Sequence, residues 1–309
     1  MTRRGGIRAG LLIAAAAYAV AVFAPGAASA APAKPAASGI TVDVDAPKRV
    51  QPLSKLQVSG AVSNPSPGET VKITVSASER EILKDEISPG ADGRFAMPLV
   101  VESCCEYVVT ATAGGATASD GFQVSVPKKL GKGKLTRLYN TRLQDLGFHT
   151  GTKGRKVTEG TRLATKAFRK TNGMRRSERY TPSIFRMLLQ GRGAFPVQHP
   201  KDGRHVEVDI SRQVMALIEG DRPVHTFHVA TGTGGTPTVR GSFRFYRKEP
   251  GFNALRMYYS VYFIRGYATH GYSSVPNRRA SHGCVRNPIQ FSRFIYNWID
   301  IGMPIHVYQ

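Results

Sequence analysis

Cysteine is scarce in this chain of 309 residues: only Cys104, Cys105 and Cys284 are present. No CxxC or HxxxH pair accompanies them, so the spacing of a zinc site is missing. A set drawn from His270, His282 and Cys284 is chemically possible, but no metal and no cofactor are expected. Exported chains tend to pair their cysteines, and with three, one must stay single. Neighbouring Cα atoms lie about 3.8 Å apart, closer than the roughly 4.4–6.8 Å of ordinary disulfides. If CCEYVVTAT is a strand, those two side chains also face opposite ways. The expectation is one buried and one exposed thiol at Cys104 and Cys105, with a vicinal disulfide as the lesser alternative; either way Cys284 is left for chemistry.

Long hydrophobic runs are lacking too. The apolar run from about Leu11 to Ala24 stops short of the roughly 20 residues that span a bilayer. Arg3, Arg4 and Arg8 precede it, and Pro25-Gly26 and Ala28-Ser29-Ala30 follow. This is the pattern of a signal peptide, residues 1–30, cleaved after Ala30, so the protein is expected in the cell wall or a periplasm-like space. No cysteine follows the cleavage site, so no lipid-anchoring sequence is visible there. The glycine-rich loop GTGGTPTVRG has no Gly-Lys-Ser/Thr ending and is no phosphate-binding loop; it reads as a tight, flexible rim beside a cleft.

Acidic residues are few, 21 against 43 lysines and arginines, and the imbalance is local. Basic and acidic residues number three and none in 1–30, eight and eleven in 31–127, and 32 and 10 from 128 onward. In a cytoplasmic protein this would mark nucleic-acid binding. An exported chain meets anionic wall polymers instead, which a basic face would hold, and no nucleic-acid partner is expected.

The fold class expected is multidomain, mainly β with α. After an Ala/Pro-rich linker, 31–38, short alternating runs such as TVDVD, LQVSGAVS, TVKITVSAS, RFAMPLVV and EYVVTATA are separated by NPSPGE and SPGADG, which suits a β-sandwich over 39–127. The basic joint 128–134 leads to three helical patterns in 135–193: LTRLYNTRLQDLGF, TRLATKAFRKTN ended by Gly173, and TPSIFRMLLQG with Thr181 as cap and Pro182 in the first turn. Residues 195–309 return to strands, at about 205–210, 213–219, VHTFHVAT, SFRFYR and MYYSVYFI.

Near the C-terminus the stretch THGYSSVPNRRASHGCVR places Cys284 two residues after His282 and fourteen after His270. A thiolate attacks carbonyl carbon, but a free thiol of pKa about 8.5 is mostly protonated at neutral pH. The sequence offers three aids. Either histidine can accept the proton. Arg286, with Arg278 and Arg279, supplies positive charge. Asn287 and Pro288 read as the cap and first residue of a helix, PIQFSRFIYNWID, whose N-terminus would favour a negative sulfur. Gly283 lets main-chain N–H groups near Cys284 form an oxyanion hole.

The order His-Gly, then Ser-His-Gly-Cys-Val-Arg, preceded by VDISRQVMALIEGDRPVHTFHVATG and TPTVRGSF, resembles the L,D-transpeptidase catalytic domain, also called YkuD, over 195–309. Residues 39–127 resemble a bacterial immunoglobulin-like domain. RLQDLGF, AFRKTNGM and YTPSIFRMLL resemble a peptidoglycan-binding domain, though KGRKVTEG stands where that family has an Asp-Gly turn. The resemblance implies a mostly β catalytic fold acting on peptidoglycan stem peptides as donor and acceptor. It implies that Cys284 is the nucleophile and His270 the proton acceptor, with His282 as the other candidate. Gly283, Gly271, Ser281 and Tyr267 would shape the site, and Arg286 would contact substrate or hold the loop. Release of terminal D-alanine from a tetrapeptide would leave a thioester that an acceptor amine resolves into a 3→3 cross-link. Capture of carbapenem-type inhibitors would follow. Attack by water instead would make an L,D-carboxypeptidase, and a non-catalytic wall-binding protein is the reading from another class.

Overall fold

The computed structural model describes residues 39–46 and 49–309. The expected signal peptide, 1–30, and the linker, 31–38, lie outside the described residues. The first seven strands are β1 (Ile40–Val44), β2 (Lys55–Val62), β3 (Val71–Ala77), β4 (Arg80–Ile87), β5 (Arg94–Val100), β6 (Glu106–Ala113) and β7 (Ala116–Gln123). They form two antiparallel sheets, ordered β1-β2-β5 and β4-β3-β6-β7. Alternation supplies the shared core: Val58, Phe95 and Leu99 from one sheet meet Val71, Ile73, Val75, Tyr107 and Val109 from the other. Each such buried side chain contributes roughly 1.5–3 kcal/mol.

Cys104 and Cys105 correct the expectation of two separate thiols: they are bonded to each other. The physical reason is local. The pair sits in the bend before β6, which begins only at Glu106, so the alternation of a strand does not govern it. The peptide between them is cis and brings the Cα atoms to 3.0 Å. Cys104 packs in the core of the next segment beside Leu188 and Leu189.

That segment holds α1 (Lys134–Asp145), α2 (Glu159–Thr171) and α3 (Pro182–Leu189). Thr158 caps α2 by accepting from Thr161 N, and Thr181 caps α3 by accepting from Ile184 N. Tyr139, Leu143, Phe148, Phe168, Phe185 and Leu188 fill their common core.

The remaining strands are β8 (Arg204–Asp209), β9 (Val214–Glu219), β10 (Arg222–His228), β11 (Gly241–Arg244), β12 (Arg247–Phe252), β13 (Tyr258–Ile264), β14 (Tyr267–Tyr272), β15 (Val285–Pro288) and β16 (Pro304–Tyr308), with α4 (Ile289–Trp298) before β16. They make a five-stranded sheet, β10-β9-β8-β16-β11, and a four-stranded sheet, β12-β13-β14-β15. The pairs β8/β16 and β14/β15 are parallel. Val206, Leu217 and Phe227 of the first sheet, Val261 and Val285 of the second, and Phe291 and Ile295 of α4 share one core.

The helices brace these sheets. Leu163 of α2 enters their core, and Phe148 bridges Thr226 beside β10. Arg176 donates to the carbonyls of Asn277 and Ser211, and Asn277 Nδ2 donates back to Arg176 O. This holds the loop that runs from β14 toward Cys284.

Lys170 of α2 is 2% exposed, and its Nζ donates to Gln213 O at 3.1 Å and Val229 O at 3.0 Å. Burial, with Arg176 and Lys166 adding repulsion, pulls its pKa down to about 6. The folded value lies below the unfolded one, so between about pH 6 and the ordinary lysine range the unfolded chain binds a proton that the folded chain lacks. Stability should therefore rise with pH across that window, by at most about 1.4 kcal/mol per unit. Denaturant unfolding at pH 6.5 and 8.5 is expected to show this rise in the wild type and not in Lys170→Met.

Candidate active site

Cys284 stands at the entry to β15, and parallel pairing sets its neighbours. Thr269 faces Val285 and His270 faces Arg286 across the ladder, which puts Ala268 beside Cys284. Side chains alternate along strands, so Cys284, Arg286, Ala268 and His270 share one face of the sheet. On that face the imidazole is the diagonal neighbour of the thiol. Cys284 is half-buried against Met257, Tyr262 and Ala268, and Sγ lies 3.7 Å from Gly266 O.

His270 is 2% exposed, and its Nδ1 sits 2.9 Å from Gly271 O. A carbonyl can only accept, so Nδ1 carries the hydrogen and the Nε2 lone pair stays free. Burial pulls His270 down to about 4; the Gly271 carbonyl opposes this and the Arg286 guanidinium adds to it. Burial likewise pushes the Cys284 thiol up, against a backbone hydrogen bond from Ala268 and the charge of Arg286. At neutral pH the resting site is thus thiol and neutral imidazole, not thiolate and imidazolium. The apolar wall around the sulfur works against the negative sulfur expected from the sequence.

The helix expected to assist the sulfur is also displaced. Strand β15 intervenes, and α4 starts at Ile289 with Pro288 as its cap and no side-chain cap bond. Five residues at about 3.3 Å each separate that start from Cys284, whereas a helix terminus acts over its first turn. Asn287 does not cap it. Its amide donates to Thr269 Oγ1, and its carbonyl oxygen accepts from Ser292 Oγ at 2.7 Å, tying β14, β15 and α4 together. A Cβ on Gly271 would sit 2.0 Å from Ser292 Oγ, so glycine there lets α4 close on β14.

The other expected residues divide. Ser281 is buried, and its hydroxyl donates to Cys284 O at 2.5 Å and accepts from Gly283 N at 3.1 Å. That commits the Gly283 amide, which had been a candidate oxyanion donor. Tyr267 lies against Gly283, and the Arg286 guanidinium stacks 4.1 Å over the Tyr272 ring. His282 is exposed, and it joins none of the hydrogen bonds found among the described residues. Arg278 and Arg279 are exposed as well.

Sequence reasoning missed the threonines of the rim. Thr231 O accepts from Ala280 N and Ser281 N, Thr233 N and Thr236 Oγ1 donate to Ser281 O, and Thr238 Oγ1 donates to Gly283 O. The loop expected to be flexible is pinned to the cysteine motif by these bonds. Threonine at 236 and 238 was the available signal, since its hydroxyl bonds backbone groups nearby, whereas Thr231 and Thr233 act on the motif through their main chain.

Gly283 has φ of 115°, and a Cβ there would fall 2.1 Å from Cε1 of Tyr267. Gly283→Ala must therefore move either the ring or the Cys284 backbone. Misplacement of about 1 Å near reacting atoms costs on the order of 10²-fold. Turnover of stem peptides by this variant is expected to fall by about that factor while its circular dichroism stays that of the wild type.

A half-buried thiol and a buried imidazole share one sheet face of this mostly β domain. Residues 203–307 match the family model of the L,D-transpeptidase catalytic domain, YkuD. The structure is similar to that of an L,D-transpeptidase (residues 123–326) from Xylanimonas cellulosilytica DSM 15894, with 28% identity, 59% of this chain and 97% of that chain covered, and a TM-score of 0.53. Matches to an L,D-transpeptidase from Stackebrandtia nassauensis (22% identity, 59% and 95% covered, TM-score 0.36) and to the catalytic domain of the E. faecium L,D-transpeptidase acylated by ertapenem (21%, 35% and 98%, 0.31) are more distant. No curated protein matches the chain.

Proposed function

We propose that this protein is an exported L,D-transpeptidase that forms 3→3 cross-links between peptidoglycan stem peptides through a thioester on Cys284. The observation that carries the reading is the placement of Cys284 and His270 on one sheet face, with Nδ1 of His270 held by Gly271 O and Nε2 free. As the sulfur attacks the carbonyl of the donor's third residue, the thiol proton passes to His270 Nε2. Collapse of the tetrahedral intermediate breaks the bond to terminal D-alanine, whose amine takes that proton. The side-chain amine of an acceptor stem then attacks the thioester and gives its proton to His270. The sulfur leaves and regains a proton, so the enzyme is restored without ATP.

Arg286 supports this role by its charge beside both groups, and Tyr267 and Gly283 form the near wall. Residues 39–127 serve as an immunoglobulin-like spacer and 135–193 as a peptidoglycan-binding-type helical domain. The basic excess after residue 128 holds the enzyme to anionic wall polymers. Incubating purified protein with tetrapeptide muropeptides and resolving the products by mass spectrometry tests the reading. Dimers linked between third residues support it; tripeptides without dimers would assign the carboxypeptidase reaction; unchanged muropeptides would overturn both.

A further inference from the structure

A second group of chemistry-bearing side chains lies on the five-stranded sheet and takes no part in the Cys284 site. His199, Asp202 and His306 each offer a ligand atom, all within 4.8 Å of one another. Two arrive on a turn. Asp202 N donates to His199 O at 3.2 Å, and Pro200 occupies the second position of that four-residue turn, where its fixed φ favours the bend. The third comes from β16, where His306 lies in register with Ser242 of β11 on one side and Glu207 of β8 on the other.

The surroundings of His306 orient it. Its residue is 6% exposed, and Nδ1 lies 2.8 Å from Ser242 Oγ. Its Nε2 is buried and lies 2.8 Å from Asp202 Oδ2. At that distance a proton on Nε2 is donated to the carboxylate, and a cation taking the proton's place would be held by Nε2 and Asp202 together.

Glu207 braces the turn rather than joining the donor set. Its carboxylate accepts from Gln198 N at 2.9 Å, His199 N at 2.8 Å and the Tyr308 hydroxyl at 2.6 Å, and it faces His205 Nε2 at 3.2 Å. An open pocket of about 400 Å³ lined by Asp202, Ser242, Arg244 and His306 gives access from solvent. Arg244, which lines it, is engaged with Gly302 O at 2.7 Å.

We infer that His199, Asp202 and His306 form a binding site for one divalent d-block cation of the zinc type, with water as the fourth ligand. Two imidazoles and one carboxylate suit such a cation better than magnesium or calcium, which take oxygen donors. The His199 and His306 rings stack with centroids 3.7 Å apart, so binding requires the half-buried His199 to turn its nitrogen toward the point that Asp202 and His306 share. Asp202, with 41% of its side chain exposed, can follow. The bound ion would clip the turn to β16.

The test uses zinc ion and the full mature chain carrying Cys284→Ser, so that the thiol cannot bind metal. Calorimetric titration and metal analysis after dialysis are expected to give one zinc per chain, with a rise in melting temperature. Asp202→Asn and His199→Gln, both on the accessible side of the site, should each weaken binding at least tenfold, because even outer partners of metal ligands are worth about 10–100-fold. Circular dichroism checks that both variants fold. Failure of the Cys284→Ser protein to retain zinc, or equal affinity in both further variants, would overturn the inference. Cross-linking by the wild type is read separately and bears only on the proposed function.

Discussion

Cys284→Ser is expected to form no cross-linked dimers and to release no D-alanine from tetrapeptide stems, with turnover lower by at least about 10⁴-fold. The size of the effect follows from the resting state. A serine hydroxyl is far less acidic than a thiol, and the base available to it, His270, has been pulled down to about 4 by burial. Arg286 adds positive charge beside the site but accepts no proton, α4 begins beyond β15, and Arg278 and Arg279 are exposed. The fold should not change, since serine is nearly isosteric and the hydrogen bond of Sγ to Gly266 O is long, 3.7 Å. Activity within tenfold of wild type would remove Cys284 from the mechanism.

His270→Gln should lower kcat by about 10²–10⁴-fold, the usual worth of a positioned base, and leave KM nearly unchanged. The amide can still donate to Gly271 O but cannot take the thiol proton. The pH dependence carries the sharper test. Since His270 is already neutral above about pH 4, activity should hold from near pH 7 down to the region of pH 4–5 and then fall, with no limb near the ordinary histidine value of about 6.5. Since burial raises the thiol, alkylation of Cys284 by iodoacetamide should climb with pH through 8.5 without an acidic plateau. A thiolate–imidazolium pair would give the reverse: alkylation level down to acidic pH and activity lost as the imidazolium deprotonates. Rates of both processes from pH 4 to 9 distinguish the two.

The sequence carried some of this organisation openly. Strands whose residues alternate between core and solvent, such as VKITVSA and RFAMPLV, stood where their patterns placed them, and Thr181 with Pro182 marked the start of α3. Strand β4, REILKDEI, escaped notice because it is an edge strand with almost every residue exposed, so burial imposes no period on it. The segment after Cys284 was misread for the opposite reason. Asn-Pro followed by an apolar periodic run is a valid helix start, but Val285–Pro288 first completes a parallel ladder with β14, and only long-range pairing decides that. Cys284, His270 and the glycines were singled out as candidates from their order along the chain. The protonation of the pair was not, since it depends on Met257, Tyr262 and Ala268 arriving from two other strands. Lys170 was unreadable in the same way: a helix lysine looks solvent-facing until the carbonyls of Gln213 and Val229 are seen around it.

Intact-protein mass spectrometry after exposure to a carbapenem, followed by peptide mapping, tests most directly whether Cys284 is the acylated nucleophile. The opened β-lactam should appear once per chain on the peptide containing Cys284, absent in Cys284→Ser and formed more slowly in His270→Gln. An unmodified mass, or an adduct mapped to any other residue, would contradict it.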